Sequence, residues 1–180
     1  MKNKKLVCSI EVVFCAVIAY VLSLIPLQFG IIDISLGMIP MVILGLRRGF
    51  IPALSSGLVW GLMKIVIGSA QILSFSQGFI EYILAFTFAG FTGLFYKQFI
   101  KGNHPVRVII LSATVGTFAR FFWHFIAGFV FWGQYAPKNF PAVLYSLVVN
   151  GGSALITAIV ACIFCVLIYK LQPKLFSASK

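Results

Sequence analysis

The sequence predicts an all-α integral membrane protein of six transmembrane helices, a single domain across residues 1–180 with both termini cytoplasmic. Three observations carry this. The chain is 61% hydrophobic with 9% charged residues, and its mean hydropathy is +1.07; apolar stretches of that extent belong in lipid. Its 180 residues leave room for about six helices of roughly 20 residues and no separate soluble domain. Its basic residues, finally, fall almost entirely on one side of the spans so defined.

The first span is Leu6 to Ile25, ended by Pro26, which disfavours a helical residue before it. The apolar run behind the basic N-terminus is longer than a signal-peptide core, and no A-x-A site closes it, so a retained helix is expected. The second span, Leu36 to Leu46, stops at Arg47-Arg48-Gly49. It is too short to cross about 30 Å of hydrocarbon at 1.5 Å per residue, so it is expected to be tilted or broken. The third runs from Phe50 to Ile67 before Gly68, and the fourth from Ser76 to Tyr96. The fifth, Pro105 to Trp132, and the sixth, Pro141 to Tyr169, both open on proline, which suits a first turn that needs no amide donor.

With the N-terminus inside, Lys2, Lys4, Lys5, Arg47, Arg48, Lys97, Lys101, Arg107, Lys170, Lys174 and Lys180 all fall in cytoplasmic segments. Only Lys138 falls outside, and Lys64 and Arg120 lie within spans. This bias follows the positive-inside rule and accounts for the net charge of +11 without nucleic acid. The same orientation puts Glu81, Lys64, His124, Trp132, Tyr145 and Asn150 in the outer half of the bundle, where a site would collect a solute from outside.

Several classes are excluded or disfavoured. No Gly-rich phosphate loop ending in Lys-Ser/Thr is present, so ATP is not bound in the usual way. Cys162 and Cys165 form an isolated CxxC, and with Cys8 and Cys15 they read as apolar side chains rather than metal ligands or a disulfide framework. No metal site, cofactor site or nucleophile–base pairing of an enzyme is evident. A stand-alone ion-coupled transporter of a cationic heterocycle is the competing class. Few intramembrane acids and no evident inverted repeat weigh against it.

The polar residues inside apolar spans are the candidates for function, because a charge at mid-membrane costs about 2.5–3.5 kcal/mol on insertion scales. Glu81 is one of three acids in the chain, with Glu11 and Asp33. It reads either as an ion-pair partner of Lys64 or Arg120 or as countercharge to a cationic ligand. Glu11 lies nearer the cytoplasmic interface and suits a structural or partner-contact role; Asp33 reads as a solvated loop residue. Arg120, His124 and Gly128 share one helix face, and Gly128 leaves room beside His124 for a flat ring or another helix. Trp132, Tyr135 and Tyr145 would suit a membrane-interface belt, yet together with Glu81, His124 and Asn150 they offer rings, an amide and a carboxylate to a flat, cationic, amine-bearing heterocycle. Cys15 and Ala19 form a small-xxx-small pair in span one, as Gly57 and Gly61 do in span three.

At SFSQGFIEYILAF (Ser74 to Phe86) and at RFFWHFIAGFVFWGQYAP with YSLVVNG (Arg120 to Gly151), the chain resembles the thiamin-specific S components, the substrate-binding subunits of energy-coupling-factor (ECF) vitamin transporters. SLIP (Ser23 to Pro26) and LRRG (Leu46 to Gly49) fit as well, and the likeness covers nearly the full length. It implies a multi-pass cell-membrane protein that binds thiamin on the outer side. Its partners would be a transmembrane coupling protein and two cytoplasmic ATPase subunits, which would supply the ATP hydrolysis. Carried over residue by residue, Glu81, Tyr82, His124, Trp132, Tyr145 and Asn150 would line the vitamin pocket, with Gly128 giving clearance. Cys15 and Ala19 would face the coupling protein. An S component for another vitamin or for a thiamin precursor is the near alternative. Two departures stand out. Some relatives carry a tryptophan in the loop after span one, where this chain has LQFGIIDISLG with Phe29 as its only aromatic. Some also carry tyrosines before the Ser-x-Ser-Gln stretch, where this chain has Gln71-Ile72. Phe29 would substitute in the lid.

Overall fold

A computed structural model describes residues 2–178. The expectation for Lys180 therefore lies outside the described residues, as does that for the side chain of Lys2. The described chain is a bundle of six helical segments and one small hairpin. The helices are α1 (Lys2–Leu22), α2 (Met38–Arg48), α3 (Phe50–Val66), α4 (Phe75–Ile100), α5 (Pro105–Phe131) and α6 (Ala142–Leu171). Four of them, α1, α4, α5 and α6, are long and apolar enough to cross a membrane. Between α1 and α2, β1 (Gln28–Phe29) pairs antiparallel with β2 (Ile32–Asp33) across a Gly30-Ile31 turn.

The second span is indeed incomplete. α2 covers only 11 residues, about 16 Å of helix. The chain leading into it is irregular backbone within the bundle, tolerable there only if its polar groups are satisfied by protein. Two of its amides are: Asp33 N–H donates to Ser153 Oγ at 2.9 Å and Ser35 N–H to Thr157 Oγ1 at 3.1 Å, while Arg120 Nη1 donates to the Ser35 side chain at 2.6 Å. Two hydroxyls of α6 thus serve backbone ahead of α2, and a guanidinium of α5 fixes the Ser35 hydroxyl.

The small residues set helix spacing inside the molecule. A Cβ at Gly57 or Gly61 of α3 would run into the backbone carbonyls of Phe86 and Tyr82 on α4, so glycine lets these backbones touch. Cys15 and Ala19 of α1, expected to face a coupling protein, pack closely within the chain. Ala19 is completely buried, with its carbonyl against Gly37, and Cys15 is 7% exposed. The spacing serves packing of α1 on α2 and α3; Cys15 alone touches an apolar groove, at its floor between α1 and α2.

The basic helix ends gather at one end of the bundle. Glu11 Oε1 and Oε2 accept from Arg47 Nη2 and Nε (3.0 and 3.2 Å) and from Arg48 Nη2 and Nε (2.9 and 2.5 Å). Arg47 also donates to the carbonyls of Lys174, Leu175 and Ser177. Glu11 is therefore a structural clasp joining α1, α2 and the segment after α6.

Candidate binding site

At the opposite end, a cavity of about 300 Å³ is lined by Gln71, Glu81, His124, Gly128, Trp132, Tyr145, Ser146, Val149 and Asn150. Six of the seven residues singled out in the sequence thus meet around one space. They come from the start of α4, the end of α5 and the start of α6, as the antiparallel crossing of these helices requires.

Both walls depart from α-helical geometry. The backbone widens to a π-helical turn at Phe79–Leu84, around Glu81, and again at Leu147–Gly151, around Asn150. Such turns are uncommon and concentrate at functional sites, because the wider turn re-aims side chains that regular spacing would send elsewhere.

Glu81 is 9% exposed and makes no ion pair among the described residues; its expected alternative partners, Lys64 and Arg120, do not reach it. Its Oε1 accepts from Trp132 Nε1 at 2.6 Å and its Oε2 from Gln77 Nε2 at 2.7 Å. A carboxylate has about four lone-pair sites, so these two bonds orient it and leave acceptor capacity toward the cavity. Gln77, completely buried, is held in turn: its Oε1 accepts from Leu73 N–H and its Nε2 donates to the Gln71 carbonyl. Sequence reasoning missed Gln77, although its place four residues before Glu81 on a helix was a usable signal.

His124 stands edge-on to Phe86, ring centroids 6.0 Å apart, and its buried Nε2 has no hydrogen-bond partner among the described residues. Gly128 gives room to another helix: a Cβ there would lie 2.8 Å from Asn150 Nδ2 and would collide with Ser146 Oγ. Asn150 Nδ2 donates to Ser146 Oγ, which donates to the Phe125 carbonyl, so α6 is fastened to α5 at this point. Trp132 continues into Tyr135 with centroids 5.6 Å apart, and Tyr145 meets Phe140 edge-on.

Two expected residues lie elsewhere. Tyr82, one residue past Glu81, turns away from this cavity. Its hydroxyl accepts from Gln71 N–H at 2.8 Å, and it lines a neighbouring chamber. Phe29, expected in the lid, is 74% exposed on the hairpin and lines neither this cavity nor the chamber beside it.

The neighbouring chamber, about 200 Å³, lies on the other side of His124, which borders both spaces. Arg120, Lys64, Asp33, Ser35 and Tyr82 are among its walls. The Arg120 guanidinium sits 4.5 Å from the Phe86 ring centre and 4.8 Å from that of Trp60, so aromatic faces share in holding this buried cation.

Comparison with known proteins agrees with the fold and the motifs. The thiamine transporter protein family matches residues 9–177. The chain is 38% identical to the thiamine transporter ThiT of Lacticaseibacillus paracasei, over 98% of this chain and 94% of that protein. It is 30% identical to ThiT of Bacillus subtilis, over 99% and 98%. A solved structure of ThiT from Listeria monocytogenes superposes with a TM-score of 0.93 at 44% identity, covering 98% of this chain and all of that one. The chain is an all-α, multi-pass membrane protein of a transporter family rather than an enzyme family: it belongs to the thiamine transporter protein family.

Proposed function

We propose that this chain is a thiamin-binding S component of an ECF-type importer. It captures thiamin at the outer face of the cell membrane and works with a transmembrane coupling protein and two cytoplasmic ATPases. On this reading the single domain crosses the membrane six times with both termini cytoplasmic, and the Glu81 cavity opens outward. The observation that carries the proposal is a carboxylate oriented by Trp132 and Gln77 in an aromatic-walled cavity, within a chain of this family.

Thiamin joins an aminopyrimidine to a positively charged thiazolium ring. Glu81 would compensate that charge and accept from the amine, and Asn150 would offer donor and acceptor to the pyrimidine edge. The rings of Trp132, His124 and Tyr145 would stack on the two heterocycles. Tyr82 would act on the far arm of the ligand or through its hold on Gln71. The coupling protein would approach along the groove floored by Cys15 and walled by Phe14, Ile18 and Ile43.

Titration of the purified protein with thiamin should quench tryptophan fluorescence at one ligand per chain, and Trp132→Ala should abolish the quench while the protein stays folded. Unchanged quenching in that variant would sink the site assignment. Competition by the aminopyrimidine fragment alone, at affinity equal to thiamin, would favour a precursor as the substrate. Robust uptake by the reconstituted chain without ATPases would favour an ion-coupled transporter.

A further inference from the structure

A basic pocket lies at the end of the bundle away from the Glu81 cavity, where a short turn, residues 101–104, joins α4 to α5. The pocket holds about 390 Å³. Gln98 comes from the last turn of α4, Lys101, Asn103 and His104 from the connecting turn, and Arg107 from the first turn of α5. Gly102 and His104 both have left-handed backbone, φ +74° and +53°, which helps the chain reverse in so short a space. No acidic side chain lines the pocket. The chain has only three acids, and all are placed elsewhere. Glu11 is clasped by Arg47 and Arg48, Asp33 is on the hairpin, and Glu81 is at the opposite end. Lys101 and Arg107 are thus two cations with no carboxylate partner, beside two amides and an imidazole.

The rest of the wall is apolar, from Val108 and Leu111 of α5. From Leu111 an exposed apolar stripe continues through Phe118 and Phe122, at i, i+7 and i+11 on one helix face. It runs for about 16 Å, close to the depth of one leaflet of hydrocarbon. Inorganic phosphate would use the charge but not the stripe, and a neutral lipid the stripe but not the charge. We propose that this pocket seats the headgroup of an anionic membrane phospholipid. Arg107 offers a planar fork to two phosphate oxygens and Lys101 a point charge to the same group. Asn103 and Gln98 serve the polar headgroup beyond the phosphate, and one acyl chain lies along Leu111, Phe118 and Phe122. Such a lipid ties the α4–α5 turn to the bilayer surface. The inference does not depend on which solute the Glu81 cavity takes.

The test uses the full-length protein, freed of lipid in an uncharged detergent. Phosphatidylglycerol and phosphatidylcholine with identical acyl chains are titrated in; bound lipid is counted by native mass spectrometry, and the unfolding temperature is followed in parallel. One variant pair is Lys101→Gln with Arg107→Gln, and a second, Lys101→Arg with Arg107→Lys, keeps the charge. The control, Lys4→Gln with Lys5→Gln, removes as much charge from exposed positions at the same end of the bundle. Lys101 and Arg107 are themselves exposed, so the variants should fold; should the first pair fail to, Arg107→Gln alone carries the comparison. Wild type is expected to bind phosphatidylglycerol about tenfold or more tighter than phosphatidylcholine, and to unfold at a higher temperature with it. The glutamine pair should bring the two lipids within about twofold of each other, while the charge-keeping pair and the control retain the preference. Equal binding of the two lipids by wild type, an undiminished preference in the glutamine pair, or a control loss as large as that pair's overturns the proposal. If inorganic phosphate or glycerol phosphate at constant ionic strength raises the unfolding temperature as far as phosphatidylglycerol does, and the glutamine pair abolishes that rise, the occupant is a soluble phosphate and the lipid assignment fails.

Discussion

Trp132 Nε1 donates to Glu81 Oε1 at 2.6 Å, linking the end of α5 to the start of α4 across 51 positions of sequence. One bond therefore fixes both the aromatic wall and the carboxylate of the cavity. Trp132→Phe keeps a ring but loses the donor. Its thiamin affinity, measured by calorimetry, is expected to fall by about tenfold, between wild type and the larger loss in Trp132→Ala.

Glu81→Gln preserves size but removes the charge that a cationic ligand meets. Hydrogen bonds to charged groups contribute about 1.5–3 kcal/mol, so thiamin binding should weaken by about 10- to 100-fold. The thermal midpoint should change little, because the solvation gained on removing a buried charge offsets the bond lost where the Gln amide nitrogen meets a Trp132 or Gln77 donor. A wild-type dissociation constant in this variant would remove Glu81 from the site.

Gln77→Leu tests the support behind Glu81. The variant leaves Leu73 N–H and one Glu81 oxygen without their present partners. Stability is expected to drop by about 1–3 kcal/mol. Affinity should fall as well, through disorder of the Glu81 rotamer, and a crystal structure of the variant should show that side chain displaced.

Gly128→Ala gains helix propensity of up to about 1 kcal/mol but forces a methyl against Ser146 and Asn150. Ser146 cannot yield freely, since it is bonded to the Phe125 carbonyl. The overpacking term, about 1–3 kcal/mol, should win, giving a lower unfolding temperature and weaker thiamin binding together.

Glu11→Gln should behave differently. It weakens the clasp between α1, α2 and the segment after α6, all at the end away from the cavity. The site is about a quarter exposed, so the loss is expected near 1 kcal/mol, or about 2–4 °C in the unfolding midpoint. Thiamin affinity should stay within twofold of wild type. A tenfold change would mean that the two ends of the bundle are coupled.

Much of this architecture could be read from the chain. Proline at 105 and 141 marked the starts of α5 and α6, and the short run before Arg47-Arg48 marked a broken span, because both signals are local. Glu81, His124, Trp132, Tyr145 and Asn150 were conspicuous through their cost in lipid. What escaped was non-local. Nothing in Cys15-x-x-x-Ala19 says how much of a small-residue face its own bundle covers, and here Ala19 is completely buried with its carbonyl against Gly37. The π-helical turns leave no periodic signature, so the separation of Tyr82 from Glu81 into two chambers could not be foreseen. Gln77 was visible in spacing but silent until Glu81 had a geometry to support.

The irregular stretch ahead of α2 has a mechanical consequence. The hairpin is tethered to the bundle through Asp33 N–H to Ser153 Oγ and Ser35 N–H to Thr157 Oγ1. At about 0.5–1.5 kcal/mol each, these two bonds contribute roughly 1–3 kcal/mol to holding it. Lifting the hairpin would break these bonds and the packing of Ile32 on Gly152 but no backbone bond of any helical turn, so the hairpin and the helical frame are held by separate sets of contacts.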